Sequence, residues 1–433
     1  MKLSRGKKIV FTLLLLTISV GSTVALVDGT LIYFDLFPPR YEYGEPKLGF
    51  APHMPGRVME DSCTDNVTGA EVTIVKNELG IRTSVAVPEL LSSPDRLKIA
   101  VVGDSQTELC TPNSLAHPGV METELQHWIP NAVALSYGRG RYSPLQAYLL
   151  FKMRLKQFNP KVLLINLYTG NDFYDMLRVD DRPHLVKQDG TGMYELREPV
   201  WLKYEDPRVQ HRSRVLYVVR SVLKETGIRD VFIRLQFLVG LAEEQKQGLG
   251  KAVSYMNDLR AAVNSDVGYP AAYAAQMLNQ QIFFHHFPNT IEESRTRIRF
   301  LMKMIRKDNP DMLLIMSPIP SYQLVQQQPV DQTFLKTISR MPFTYEDGLR
   351  QEDALYYFLK AAAQETGWLF IDNLTPLKTY KGSDRLFNVF DYHVTPVANT
   401  VIGANEAQTL VQYLHSGQSQ TSGISGLAVV SGR

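Results

Sequence analysis

The stretch "KIAVVGDSQTEL", Lys98 to Leu109, decides the fold. Four apolar residues in a row, Ile99 to Val102, run without a polar spacer into Gly103, Asp104 and Ser105. An unbroken apolar run closed by a turn triplet reads as a strand buried on both faces, because a strand with one wet face would alternate. The triplet itself has two readings. Either Ser105 is displayed at the strand's end for chemistry, or Asp104 or Ser105 simply caps the next helix.

Working outward, runs of the same kind recur at Leu97 to Val102, Ala132 to Leu135, Val162 to Leu167, Met312 to Met316 and Trp368 to Ile371, each followed by Gly, Ser, Asn or Pro. Helical patterns lie between them. In "SPLQAYLLFKMRLKQFNP", Ser143 is placed to cap, Pro144 to open the first turn, and Asn159-Pro160 to stop the helix. In "VANTVIGANEAQTLVQYL", the spacing puts Val397, Val401, Ala404, Ala407, Val411 and Leu414 on one face. Alternating strands and helices predict an α/β fold, a parallel sheet with helices on both faces, whose ligands gather at the carboxyl ends of the strands. This body spans residues 91–415, broken by a helical insertion at about 209–306 that serves either as a lid or as added packing. Residues 29–90, rich in Pro, Gly and aromatics at the start, read as an extended connector packing on the body, and the Gly/Ser-rich 416–433 as a disordered tail.

Composition narrows the function classes. With 46 basic against 44 acidic residues the formal charge is +2, too little to draw the chain to nucleic acid. The N-terminus differs in kind. Lys2, Arg5, Lys7 and Lys8 precede an uncharged run from Ile9 to Val27, long enough to span a bilayer, without a small-x-small cleavage pattern at its end. Residues 1–28 are therefore expected to be a cytoplasmic flank and an uncleaved transmembrane helix, with the rest of the chain on the extracytoplasmic side, periplasmic or extracellular. Two cysteines, Cys63 and Cys110, either pair as a disulfide or sit as small buried apolar residues.

The strand ends carry the chemistry. The first ends at "GDS", the second at "LSYGRG" and the third at "NLYTGND", so all three would meet at one edge of the sheet. A Ser, a backbone Gly and an Asn gathered there make a nucleophile with oxyanion donors. The base is found near the end of the chain: in "FNVFDYHVTP", His393 is placed to take the proton from Ser105 and Asp391 to orient the imidazole. His285 and His286 lack a nearby carboxylate or Cys partner in sequence, so they are read as structural; no metal and no cofactor is expected.

Taken in order, these segments resemble the SGNH (GDSL-type) hydrolases, esterases and acyl-transferring enzymes on a flavodoxin-like sheet. The resemblance covers roughly residues 97–414, the insertion excepted. It implies Ser105, His393 and Asp391 as the catalytic set, with Asp384 as the alternative carboxylate because the family commonly has DxxH where this chain has "DYH". It implies Ser105, Gly138 and Asn171 as the oxyanion hole. Ser136 and Arg141 depart from the family's usual Asn and Gly, which alters the pocket rim; Arg139 and Arg141 either bind an anionic group or are solvated. Asp104 and Asp172 are expected to brace loops.

The expected function is a membrane-anchored esterase or O-acyltransferase, acting on a small-molecule or saccharide ester of the cell envelope or an exopolysaccharide. A non-catalytic envelope-binding module and a phospholipase or other lipid esterase are the alternatives. A hydrogen-bonded Ser105–His393 pair separates the first of these from the enzyme.

Overall fold

The structure, a computed structural model, describes residues 59–64, 71–83, 85–178, 182–188, 193–197, 279–325, 343–388 and 392–416, with isolated positions elsewhere. The anchor within 1–28, the insertion up to 278, Asp391 and the tail beyond 416 lie outside the described residues, isolated positions apart. Among the described residues no helix is long and apolar enough to cross a membrane.

The first described elements are an antiparallel hairpin, β1 (Met59–Thr64) and β2 (Glu71–Lys76), and a short helix α1 (Val87–Ser92). Then come β3 (Lys98–Gly103), α2 (Ser105–Glu108), α3 (His117–Gln126), β4 (Val133–Gly138), α4 (Pro144–Leu150), β5 (Val162–Tyr168) and α5 (Asp172–Asp175). A second hairpin, β6 (His184–Lys187) with β7 (Tyr194–Arg197), precedes α6 (Asn279–His286) and α7 (Asn289–Asp308). The body closes with β8 (Leu313–Ile319), α8 (Tyr322–Val325), α9 (Tyr345–Thr366), β9 (Leu369–Phe370), α10 (Leu374–Thr379) and α11 (Pro396–His415).

The main sheet has five strands in the order β4-β3-β5-β8-β9, all parallel. Every predicted apolar run is a strand of it. Numbered along the chain the order is 2-1-3-4-5, the flavodoxin-like arrangement, whose switch point falls between β3 and β5. Alternate residues of β3 enter two different cores, as the strand's period of two requires. Ala100 and Val102 pack with Tyr148 of α4, Leu301 of α7 and Leu359 of α9, whereas Ile99 and Val101 pack with Met121 of α3 and Leu410 of α11. Helices therefore cover both faces.

Local chemistry sets the helix ends. Ser143 caps α4 through a reciprocal pair with Gln146, and Asn159 adopts a left-handed conformation (φ 53°) before Pro160. Between them the helix is not uniform: it widens over Phe151–Leu155 and tightens over Lys156–Phe158. Thr344 and Asp347 form the same kind of reciprocal cap on α9, and Gly367 (φ 70°) ends it.

Of the predicted face of α11, Ala407, Val411 and Leu414 are buried, whereas Val397, Val401 and Ala404 are only half-buried and Ala398, Ile402, Glu406 and Leu410 face inward instead. The reason is a polar network that an apolar stripe does not reveal. Glu406, fully buried, lies 3.0 Å from the buried His117 Nδ1 and accepts hydrogen bonds from Ser317 Oγ (2.6 Å) and Asn166 Nδ2 (3.1 Å). Gly403 lets α11 close on α3, since a Cβ there would fall 2.5 Å from the His117 carbonyl oxygen.

Cys110, just after α2, is disulfide-bonded. Arg82 holds the same segment from the residues after β2. Its guanidinium donates to the carbonyl oxygens of Glu108, Leu109 (3.2 Å) and Thr111 (2.5 Å), and its backbone bridges Ser136 of β4.

Candidate active site

The site lies at the carboxyl ends of β3 and β5, at the switch point. β3 stops at Gly103 because α2 starts at once: a Cβ at Gly103 would lie 2.2 Å from Thr107 Oγ1. Asp104 caps the turn, its Oδ1 accepting from Gln106 N–H at 2.9 Å. The capping reading of the triplet thus holds for Asp104, while Ser105, the first helical residue, is held at the sheet edge.

His393 reaches that edge from the other end of the chain. Its Nε2 is 2.9 Å from Ser105 Oγ, the separation of a hydrogen-bonded nucleophile and base. The loop that carries it is closed on itself. Asn388 N–H donates to the His393 carbonyl at 2.8 Å, Phe387 bridges Val394, and Tyr392 takes a left-handed conformation (φ 54°) to turn the chain between them. Gln106, one residue after the serine, fastens this loop by accepting from Val394 N–H at 3.0 Å. Sequence reading passed over Gln106, because only the folded chain brings positions so far apart together. Asp391 lies outside the described residues. The alternative carboxylate, Asp384, is exposed and accepts from the Tyr380 hydroxyl at 3.3 Å.

The second strand-end loop contributes two glycines with different placements. Gly138 ends β4 paired with Gly103, and a Cβ on it would meet Glu108 N at 2.3 Å, so its bareness lets α2 lie on the strand. Gly140 is the one beside the serine: a Cβ there would be 3.7 Å from Ser105 Cβ. Arg139 is not a solvated loop residue, as its Nη1 is 3.1 Å from Glu108 Oε1. Arg141 is exposed and left-handed (φ 70°), a conformation that glycine adopts without strain.

The third loop begins α5. Asn171 stands at its cap position, with Nδ2 donating to Asp175 Oδ2 at 2.7 Å and Oδ1 buried with no hydrogen-bond partner among the described residues. Asp172 turns back on β5, where its Oδ2 accepts from Tyr168 N–H at 2.8 Å. The fully buried Arg182 donates to Asp175 Oδ1 at 3.0 Å.

Three carboxylates, Asp104, Asp172 and Asp175, therefore lie beneath the serine turn. Burial pushes Asp104 up to about 6, opposed by the Gln106 N–H bond and the nearby His393, and assisted by Asp175. Burial, together with Asp104 and then Asp175, raises Asp172 well above the ordinary carboxylate range. Burial in apolar surroundings disfavours the charged form, and neighbouring like charges do the same. Both residues brace their loops, as expected from the sequence. His285, exposed on α6, has its ring 5.9 Å from that of Phe343. Among the described residues no cluster of His, Cys, Asp and Glu is arranged to hold a metal ion.

No protein-family model and no curated protein matches the chain. Solved structures similar to it include Axe2, an acetylxylan esterase from Geobacillus stearothermophilus, at 11% identity and TM-score 0.33, covering 73% of this chain and 92% of that one. A putative lipolytic protein of the G-D-S-L family from Desulfitobacterium hafniense DCB-2 matches at 10% identity and TM-score 0.31, covering 72% and 99%. The alpha/beta hydrolase LAE5 from the metagenome of Lake Arreo matches at 9% identity and TM-score 0.31, covering 73% and 93%. These superpositions are loose, and the functional reading rests on the site itself.

Proposed function

We propose that this chain is a serine esterase or O-acyltransferase of the SGNH (GDSL) type. The observation that carries the reading is the 2.9 Å contact between Ser105 Oγ and His393 Nε2 at the switch point of the sheet. A non-catalytic module has no need of that pair, and a serine hydroxyl facing an imidazole is the arrangement for nucleophilic attack.

In the proposed reaction, neutral His393 Nε2 accepts the Ser105 proton as Oγ bonds to the ester carbonyl carbon. The carbonyl electrons move to oxygen, where the Ser105 backbone N–H, the Gly138 N–H and Asn171 Nδ2 are the proposed donors. Collapse expels the alcohol, which takes the proton from His393 and leaves an acyl-Ser105. Water or an acceptor hydroxyl then repeats the cycle in reverse order. Asp391, two residues before the base, is assigned to hold the imidazole and balance its transient charge.

The substrate is proposed to be an acylated sugar of the cell envelope or an exopolysaccharide, met on the extracytoplasmic side of a membrane holding residues 1–28. Two features support that placement: the uncharged run from Ile9 to Val27, and a disulfide, which persists in oxidising compartments. The test is labelling by a fluorophosphonate probe. Wild type should label, and Ser105→Ala and His393→Ala should not; a folded wild type that stays unlabelled would overturn the assignment.

A further inference from the structure

We infer that Glu108 is a positioning residue for this reaction, fixing the Arg139–Arg141 turn against the nucleophile; the inference rests on the esterase reading above. Glu108 stands one helical turn after Ser105 on α2. Its Oε2 accepts the Gly140 N–H at 2.5 Å and its Oε1 lies 3.1 Å from Arg139 Nη1, so one carboxylate grips two successive residues of the turn. Lys76, at the end of β2, approaches the same Oε1 at 3.7 Å.

Three features show what this grip holds. Residue 140 sits between the carboxylate and the nucleophile, since a Cβ there would lie 3.2 Å from Glu108 Oε2 and 3.7 Å from Ser105 Cβ. The next residue, Arg141, is left-handed (φ 70°), a conformation that costs energy for any residue bearing a Cβ and persists only where its surroundings enforce it. The turn is closed by Tyr142 N–H donating to the Arg139 carbonyl at 3.1 Å, which fixes its far side but not its distance from Ser105. Arg139 N–H, donating to the Gly103 carbonyl at 3.2 Å, ties the turn to the end of β3, and Glu108 adds a tie to the serine's own helix. A bare carboxylate beside a developing oxyanion would oppose it, and Arg139 and Lys76 offset that charge.

Reach and charge can be separated by two variants. E108Q keeps the length and an acceptor oxygen but loses the charge, whereas E108D keeps the charge and draws the acceptor back by about 1.5 Å. The rate of fluorophosphonate labelling should fall by about 10- to 100-fold in E108D and stay within a few-fold of wild type in E108Q, since misplacement of about 1 Å is costly in such sites. Amide hydrogen exchange over residues 139–142 should show protection in wild type and E108Q and its loss in E108D. E108D labelling at the wild-type rate, or E108Q as slow as E108D, would overturn the role. If E108D fails to fold, E108Q decides: labelling about ten-fold or more slower than wild type overturns the role. If wild type does not label, the esterase reading fails, and hydrogen exchange still tests whether Glu108 holds the turn.

Discussion

Ser105 and His393 are separated by most of the catalytic body in sequence and by one hydrogen bond in the fold. Both were singled out beforehand because each sits in a short polar segment that interrupts the apolar pattern, one at the end of a strand and one just before the last helix. Gln106, Glu108 and Gly140 were not legible, because their roles are contacts between segments, and nothing in their local sequence distinguishes a fastening carboxylate from a solvated one. Asn171 lies between these cases. Its place after β5 was predicted, but its amide is already engaged with Asp175 through one N–H. Asn171→Ala should slow turnover of a chromogenic acetate ester by about 10²- to 10³-fold if the second N–H serves the oxyanion. An unchanged rate would remove Asn171 from the hole and leave it as a brace for α5.

At the scale of elements, unbroken apolar runs made the five strands of the sheet readable, since a strand covered on both sides has no polar face. The β1–β2 hairpin escaped notice within a stretch read as connector, and the predicted face of α11 holds only from Ala407 on, because buried polar residues such as Asn399 and Glu406 share its inward side. Helix α9 makes the same point. Its Glu352 is fully buried among Gln280 and Gln281 of α6, Thr169 after β5 and Ser321 after β8, and burial pushes its carboxyl up to about 8 against their hydrogen bonds. The native state therefore keeps a proton that the unfolded chain releases near the ordinary value of 4.5, and stability declines as pH rises between those limits. Glu352→Gln should flatten that decline: its melting temperature relative to wild type should rise between about pH 5 and about pH 9. A constant difference would show that Glu352 is ionised throughout.

For the molecule as a whole, the segment following α2 is held by the disulfide of Cys110 and by Arg82, whose guanidinium donates to the Thr111 carbonyl while its backbone bridges Ser136 of the edge strand β4. The sequence left open whether Cys110 is bonded, because two cysteines alone do not reveal whether the fold brings them together. A disulfide should stabilise the fold by about 2 to 4 kcal/mol. Reduction should accordingly lower the melting temperature by several degrees and slow labelling of Ser105, as the helix loses its tether. Reduced protein that melts and labels like the oxidised form would confine the bond to a local role.

The most direct measurement is to mix the protein with p-nitrophenyl acetate, quench in acid and determine by mass spectrometry where the acetyl group resides. One acetyl per chain on the peptide containing Ser105, absent in Ser105→Ala and accumulating only slowly in His393→Ala, is the expected result. Ester turnover with Ser105 unmodified, or undiminished in Ser105→Ala, would contradict the mechanism.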